Sequence, residues 1–300
     1  MGDPAHFRVR GGANPHTRTR WGFRKTVNHG LAREQWGLLK NLLTDHGVTV
    51  HVVPARESSP GLVFPANAGF LADLHEPWPR EKKTFYLSQM LPSRRAEQAL
   101  YGEFLKALGF RVEAFPRRFE GEADFFPAGD VFLFTSGVLE NQRFVPRRGW
   151  PPYRRVYGFR SDPAALADLK SLCHREILAL TLVRETHYHG DTCLCAFGPR
   201  REFLLAYLPA LAEESQNRLA ARFGKNLVPL SREDGELFSA NSFQIDSLRP
   251  LLVMPHTVTE RLRDQIRERG VDVEATDVSE FMTKGGGSVK CLIGDLGPGG

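Results

Sequence analysis

Apolar and polar positions alternate in two rhythms along this chain, and the switch between them recurs. Residues 31–45 carry Ala32, Trp36, Leu39 and Leu42/Leu43 at helical spacing, and Gly47 closes the run. A β-branched stretch, Val48-Thr49-Val50-His51-Val52-Val53-Pro54, follows and predicts a strand. The same order returns at 92–108 (Ala96, Leu100, Phe104, Leu108), with Gly109 and a strand over 110–115. It returns at 211–223, with Gly224 and a strand over 227–230, and at 259–269, with Gly270 and a strand over 271–275. A fifth copy lacks the glycine: Asp162 caps, Pro163 opens a helix to about residue 174, and a strand covers 177–183. Further strands are predicted at 131–134, 193–197, 203–207 and 251–254, and Val63-Phe64-Pro65 reads as a strand running into the turn Asn67-Ala68-Gly69.

The predicted helices end near residues 47, 109, 174, 224 and 270. Five loosely similar helix–strand units suggest closure around an axis. A doubly wound open α/β sheet alternates in the same way, and the pattern alone does not separate the two. The 300 residues contain no low-complexity segment and no linker, so one domain over 1–300 is expected. Residues 143–155, with Pro146, Pro151 and Pro152, form the longest irregular insertion, a surface loop or lid.

Composition changes this picture little. The chain is 41% hydrophobic and 25% charged, as globular proteins are, and its net charge is +5. Arginine collects before Trp21 and between Arg143 and Arg160, which suits an anionic small molecule or a solvated face as well as nucleic acid. No run approaches a membrane span, and Met1 to Lys25 has no apolar leader core. The four cysteines, Cys173, Cys193, Cys195 and Cys291, make no disulfide framework, so a reducing cytoplasm is expected.

Four stretches could carry chemistry. Gly285-Gly286-Gly287-Ser288-Val289-Lys290-Cys291 sets a thiol beside a backbone able to approach a ligand; a flexible turn before a terminal strand with a buried cysteine is the alternative. Glu120-Gly121-Glu122-Ala123-Asp124 groups three carboxylates that bind a cation, orient a histidine, or form a solvated turn. His187-Tyr188-His189-Gly190-Asp191 offers a general acid/base ahead of a strand, or a capping turn. Cys193 and Cys195 lack zinc spacing and read as core. Asn67, in Phe64-Pro65-Ala66-Asn67, is a turn residue or an amide at a sheet end. Arg94 and Arg160 each lie beside a helix start, where a guanidinium can hold a carboxylate or be solvated.

In order, Phe-x-Ala-Asn (64–67), Glu-Gly-x-x-Asp (120–124), His-x-Asp (189–191) and Gly-Gly-Gly-Ser-x-Lys-Cys (285–291) resemble the guanidine-modifying superfamily of arginine deiminases, dimethylarginine dimethylaminohydrolases and amidinotransferases. The resemblance implies a five-bladed pseudo-symmetric α/β propeller, the pentein. It implies Cys291 as nucleophile, His189 as acid and base, and Glu120 orienting His189. Asp124, Asp191, Gly121 and Gly286 are then placed around a guanidino substrate, with Arg94 and Arg160 as candidates for its α-carboxylate. Asn67 stands where deiminases carry an acidic residue, and it is similar to the arginine dihydrolases, which also share Asn14-Pro15. Arginine, cleaved through citrulline to ornithine, is the implied substrate. An amidinotransferase, a dimethylarginine hydrolase, a deiminase and a non-catalytic binding protein on the same fold are the alternatives. No metal, cofactor, membrane or nucleic-acid partner is expected, and assembly into a homo-oligomer is left open. The basic run 17–25 and the insertion 143–155 depart from the family pattern.

Overall fold

The structure is a computed structural model describing residues 1–11, 13–150 and 152–298. Gly12 and Pro151, which fall in expected irregular segments, lie outside the described residues. After helix α1 (His29–Asp45), one unit repeats. It comprises strand, antiparallel strand, helix and parallel strand, with the second strand central. The first copy is β1 (Gly69–Leu71), β2 (Thr84–Gln89), α2 (Arg95–Ala107) and β3 (Arg111–Arg118). Its register pairs Gly69 with Leu87 antiparallel and Phe85 with Val112 parallel. The second is β4 (Phe125–Ala128), β5 (Val131–Ser136), α3 (Ala165–Leu172) and β8 (Ile177–Thr181). Between β5 and α3 stands a two-stranded hairpin, β6 (Arg143–Pro146) and β7 (Tyr153–Val156). The third is β9 (Leu194–Phe197), β10 (Phe203–Ala206), α4 (Glu213–Phe223) and β11 (Leu227–Pro229). After the short α5 (Arg232–Glu236), the fourth is β12 (Phe243–Ile245), β13 (Leu251–Pro255), α6 (Glu260–Arg267) and β14 (Asp272–Thr276). Helix α7 (Ser279–Gly285) follows.

The fifth unit draws on both ends of the described chain. The Val53 N–H donates to Met1 O (2.9 Å) and the Asp3 N–H to Val53 O (3.0 Å), so that Gly2 bridges Val53 in parallel, and α1 is the crossover between them. The five units form the five-bladed α/β propeller that the resemblance implies, where the periodicity alone left an open sheet equally open.

Three local expectations are corrected. The strand expected over 48–54 is reduced to one bridge at Val53, because only residues 1–3 meet it. Residues 60–67 form two 3-10 turns, Pro60–Val63 and Pro65–Asn67, in place of a strand, each opened by a proline that fixes φ and has no N–H for a ladder. The insertion at 143–155 is a paired hairpin rather than an irregular loop. The glycine stops behave as expected: Gly109 adopts φ 97°, which ends α2 where a side chain would be strained.

Packing fixes where the site lies. Phe70, Phe115, Phe119, Phe125 and Phe134 are buried together between the first two units, with Phe70 and Phe125 ring centroids 5.0 Å apart. Each buried ring contributes about 1.5–3 kcal/mol. This cluster brackets the turn Gly121–Ala123 on both sides in sequence, so the carboxylates of that turn are carried on a rigid aromatic base. Equivalent turns, Pro65–Asn67 and Gly190–Thr192, precede β1 and β9, and Lys290–Leu292 supplies the fifth unit.

Candidate active site

These turns converge at one end of the ring, and His189 is the first group they fix. Its Nδ1 lies 2.8 Å from Asp124 Oδ2, and its Nε2 lies 3.2 Å from Glu120 Oε2. All three side chains are buried. Asp124 is itself held: Oδ1 accepts from the Thr135 hydroxyl (2.6 Å) and the Gly190 N–H (3.0 Å), and Oδ2 from the Ser161 hydroxyl (2.7 Å). The arrangement differs from the implied one, in which Glu120 orients His189 and Asp124 faces substrate. Asp124 sits behind the ring at Nδ1, whereas Glu120 sits at Nε2, on the open side. Burial, the largest single influence, acts to lower the His189 pKa, but the Asp124 charge and the hydrogen bonds to both carboxylates outweigh it and raise it to about 9. Burial likewise acts to raise Glu120, yet His189, Arg94 and Arg160 bring it down to about 2.

Cys291 is fixed from a different unit. Asn241 Nδ2 donates to its Sγ (3.2 Å), and Asn241 Oδ1 accepts from the Cys291 and Ser288 N–H groups (3.2 and 2.9 Å). The Cys291 thiol donates to Asp191 Oδ2 (3.3 Å). Burial, reinforced by the Asp191 carboxylate, pushes the thiol well above its ordinary value of 9, so at rest it is neutral. Burial also raises Asp191, to about 6. A positive charge arriving beside Sγ is what this site needs to form the thiolate.

Asn241 was missed by motif reading. Its only signal is the pair Ala240-Asn241 ahead of β12, which repeats Ala66-Asn67 ahead of β1. The glycine run is a wall rather than a loose turn. Gly286 ends α7 at φ 82°, and the Tyr188 hydroxyl donates to its carbonyl (2.9 Å). A Cβ on Gly287 would lie 3.0 Å from Cys291 Sγ. Cys291 itself lies in the 3-10 turn Lys290–Leu292, not at the end of a strand. Gly121, at φ 60°, lies where a Cβ would meet Gly69 O at 2.4 Å, so it is a contact between the first two units.

A cavity of about 600 Å³ is walled by Cys291, His189, Glu120, Asn67, Tyr188 and Arg160. Asp124, Asp191, Gly121 and Gly286 are not among its walls. Arg94 reaches the wall with most of its donors engaged: Glu97 takes two (2.7 and 2.9 Å), Asn67 Oδ1 one (2.7 Å) and Gly61 O another (2.9 Å). By holding Oδ1, Arg94 turns the Asn67 NH2 toward His189 Nε2, 3.3 Å away. Arg160 donates to Gly158 O (2.9 Å) and Ala13 O and lies 5.0 Å from the centre of the Tyr188 ring. The site thus presents a thiol, a protonated imidazole, a carboxylate and an amide around one space, with cationic groups at its edge.

Known proteins resemble this chain in sequence and in fold. Residues 156–297 match the family described as N,N dimethylarginine dimethylhydrolase, eukaryotic. The crystal structure of AgrE in complex with L-arginine superposes with a TM-score of 0.81 at 25% identity, covering 99% of this chain and 39% of that one. The chain is similar in sequence and in fold to the guanidine-modifying enzymes. It is 28% identical over 264 residues to the bifunctional arginine dihydrolase/ornithine cyclodeaminase AgrE of Nostoc sp., covering 87% of this chain and 33% of that protein. It is 27% identical over 299 residues to the N(G),N(G)-dimethylarginine dimethylaminohydrolase of Mycobacterium tuberculosis, covering 99% of this chain and 85% of that one. The chain spans about a third of the bifunctional relative. The family match contains His189, Asp191, Asn241 and Cys291 but not Asn67, Glu120 or Asp124. Among the described residues no helix is long and apolar enough to cross a membrane.

Proposed function

We propose that the protein is a cysteine-dependent hydrolase of guanidino compounds, that its substrate is L-arginine, and that it cleaves twice. Arginine and two waters then give ornithine, carbon dioxide and two ammonia molecules. The observation that carries the reading is the shared cavity. Cys291, His189 and Glu120 wall one space, with Glu120 Oε2 3.2 Å from His189 Nε2, and among the described residues no other thiol lies in that wall.

In this mechanism the guanidinium enters beside Glu120, and its charge favours the Cys291 thiolate. Sγ bonds to the guanidinium carbon. His189, protonated at neutral pH, gives its Nε2 proton to the departing ammonia as the C–N bond breaks, leaving an S-linked thiouronium. The neutral imidazole, steadied at Nδ1 by Asp124, then takes a proton from water, whose oxygen attacks the same carbon. The C–S bond breaks, releasing citrulline and restoring the thiol. In the second round the guest is the neutral urea of citrulline. Asn67 suits both rounds: its amide is neutral, and Arg94 fixes the NH2 as the group facing the cavity, where it donates to a urea oxygen. A carboxylate there would favour only the cation. Arg160 is the proposed contact for the α-carboxylate, and residues 1–300 are taken as one domain.

Incubation with arginine should yield ornithine with two ammonia, without any added amine. Citrulline with one ammonia would reduce the reading to a deiminase. Turnover strictly dependent on an amine acceptor would make the protein a transferase, and no ammonia from any of a panel of guanidines would overturn the reading.

A further inference from the structure

Behind the nucleophile, on the side of Asp191 away from the substrate cavity, lies a second and smaller space of about 50 Å³. It is lined by aromatic side chains of the first two units and by five charged groups: Asp191, Glu122, Lys290, Arg201 and Asp295. At about 10–15 Å³ each it takes some three to five water molecules. Asp191 links this space to Cys291, which walls the substrate cavity. Its Oδ2 accepts the Cys291 thiol, while its Oδ1, buried and lacking a hydrogen-bond partner among the described residues, belongs to the carboxyl that lines the inner space. A buried carboxylate oxygen without a donor is costly unless water or a proton reaches it. Glu122 lies across the space, where its carboxylate accepts from Lys290 Nζ (2.5 Å) and the Asp295 N–H (3.0 Å).

The geometry points to a proton path from the Cys291 thiol through Asp191 and the inner space to Glu122, so that the nucleophile is charged from behind and the substrate cavity does not have to accept its proton. The inference rests on Cys291 being the nucleophile proposed above. The S–H bond breaks and an O–H bond forms at Asp191 Oδ2. Half a turn of the carboxyl carries that proton to the inner side, where it passes through water to a Glu122 oxygen. The products are a Cys291 thiolate, an Asp191 carboxylate and a neutral Glu122, with no proton gained or lost. Glu122 is suited to this. Burial raises it to about 7 against the pull of Lys290, so it is an acceptor poised near neutral pH. The groups facing it are Lys290 and Asp295 from the end of the chain, Asp191 from the turn before β9, Arg201 from the loop before β10, and the Met1 amine, whose pKa it influences.

The rate at which the Cys291 thiolate appears tests this without any substrate. A stopped-flow jump to alkaline pH, followed by thiolate absorbance with Cys291→Ser as the blank, reads it. Glu122→Gln should form the thiolate at least about tenfold more slowly than the native protein while reaching an equal or higher final level, because the acceptor is gone but so is a negative charge. A merely electrostatic Glu122 changes the final level and not the rate, so thiolate formation at the native rate in Glu122→Gln overturns the path. If that variant does not fold, Asp191→Asn carries the same expectation, and thiolate formation in the native protein without a solvent deuterium isotope effect overturns the path alone. Because no guanidine is present, failure here leaves the reading of the substrate untouched, and absence of guanidine turnover leaves the rate difference standing.

Discussion

Asp124 is the group whose replacement most sharply tests how the imidazole is prepared. In Asp124→Asn, the Thr135 hydroxyl and the Gly190 N–H still require an acceptor at the Oδ1 position, so the amide oxygen settles there. The NH2 then faces His189 Nδ1 and donates to it, which moves the ring proton to Nε2 and removes the negative charge 2.8 Å away. Burial, until then outweighed, is left opposed by Glu120 alone. A fall of His189 from about 9 to its ordinary 6.5 corresponds to about 3 kcal/mol of lost preference for the imidazolium. The general acid is then largely deprotonated at neutral pH and its tautomer is reversed, so kcat should fall by about 10²- to 10⁴-fold. The assay is kcat and kcat/KM across pH, with the His189 ring followed by NMR. A variant that keeps kcat within about threefold while His189 still titrates near 9 would refute the assignment of Asp124 as the group that holds the imidazole.

Other outcomes follow from the same geometry. Asn241→Ala leaves the buried Cys291 and Ser288 N–H groups without their acceptor, and should cost about 1–3 kcal/mol in urea unfolding. Its turnover should drop by one to two orders of magnitude as Sγ loses its donor. Asn67→Asp should keep the first cleavage and lose the second, so that citrulline accumulates by chromatography; ornithine formed at the native rate would contradict the role given to the neutral amide. Gly286→Ala forces a side chain into φ 82°, 2.9 Å from Asn14 Oδ1, and should destabilise by about 1–2 kcal/mol, read as a lower melting temperature. The folded His189 value of about 9 lies above the ordinary 6.5, so its contribution to stability is complete below 6.5 and is lost as pH rises through about 9. The melting temperature should therefore decline over that window, and the decline should shrink in His189→Gln.

The architecture was legible where one local signal decided the outcome. Amphipathic runs stopped by Gly47, Gly109, Gly224 and Gly270 mark four of the crossover helices, because period and stop signal agree there. Residues 60–67 misled because their apolar content suggests a strand, while Pro60 and Pro65 hold the backbone in 3-10 turns. The 48–54 segment looks like a strand by composition, but pairing depends on a partner distant in sequence, and only residues 1–3 supply one. Prolines at 146, 151 and 152 concealed the hairpin β6–β7, whose ladder runs from Arg143 paired with Val156 to Pro146 paired with Tyr153. At the site, motif order located Cys291, His189, Glu120 and Asp124, but which carboxylate faces Nδ1 depends on side-chain direction, and four residues of spacing do not encode it. Asn241 has no charge and no motif around it. Its importance comes from accepting two backbone N–H groups and donating to a sulfur fifty residues away.

The central claim is that the carbon of a guanidine becomes bonded to Cys291. Rapid acid quench of the protein mixed with arginine, followed by digestion and mass spectrometry, reads this directly. The account predicts a transient adduct of the amidino group on the peptide bearing Cys291, absent from the peptides bearing Cys173, Cys193 and Cys195, and no ammonia from Cys291→Ala. Ammonia release by Cys291→Ala at a rate comparable to the native protein, or an adduct on any other cysteine, would contradict it.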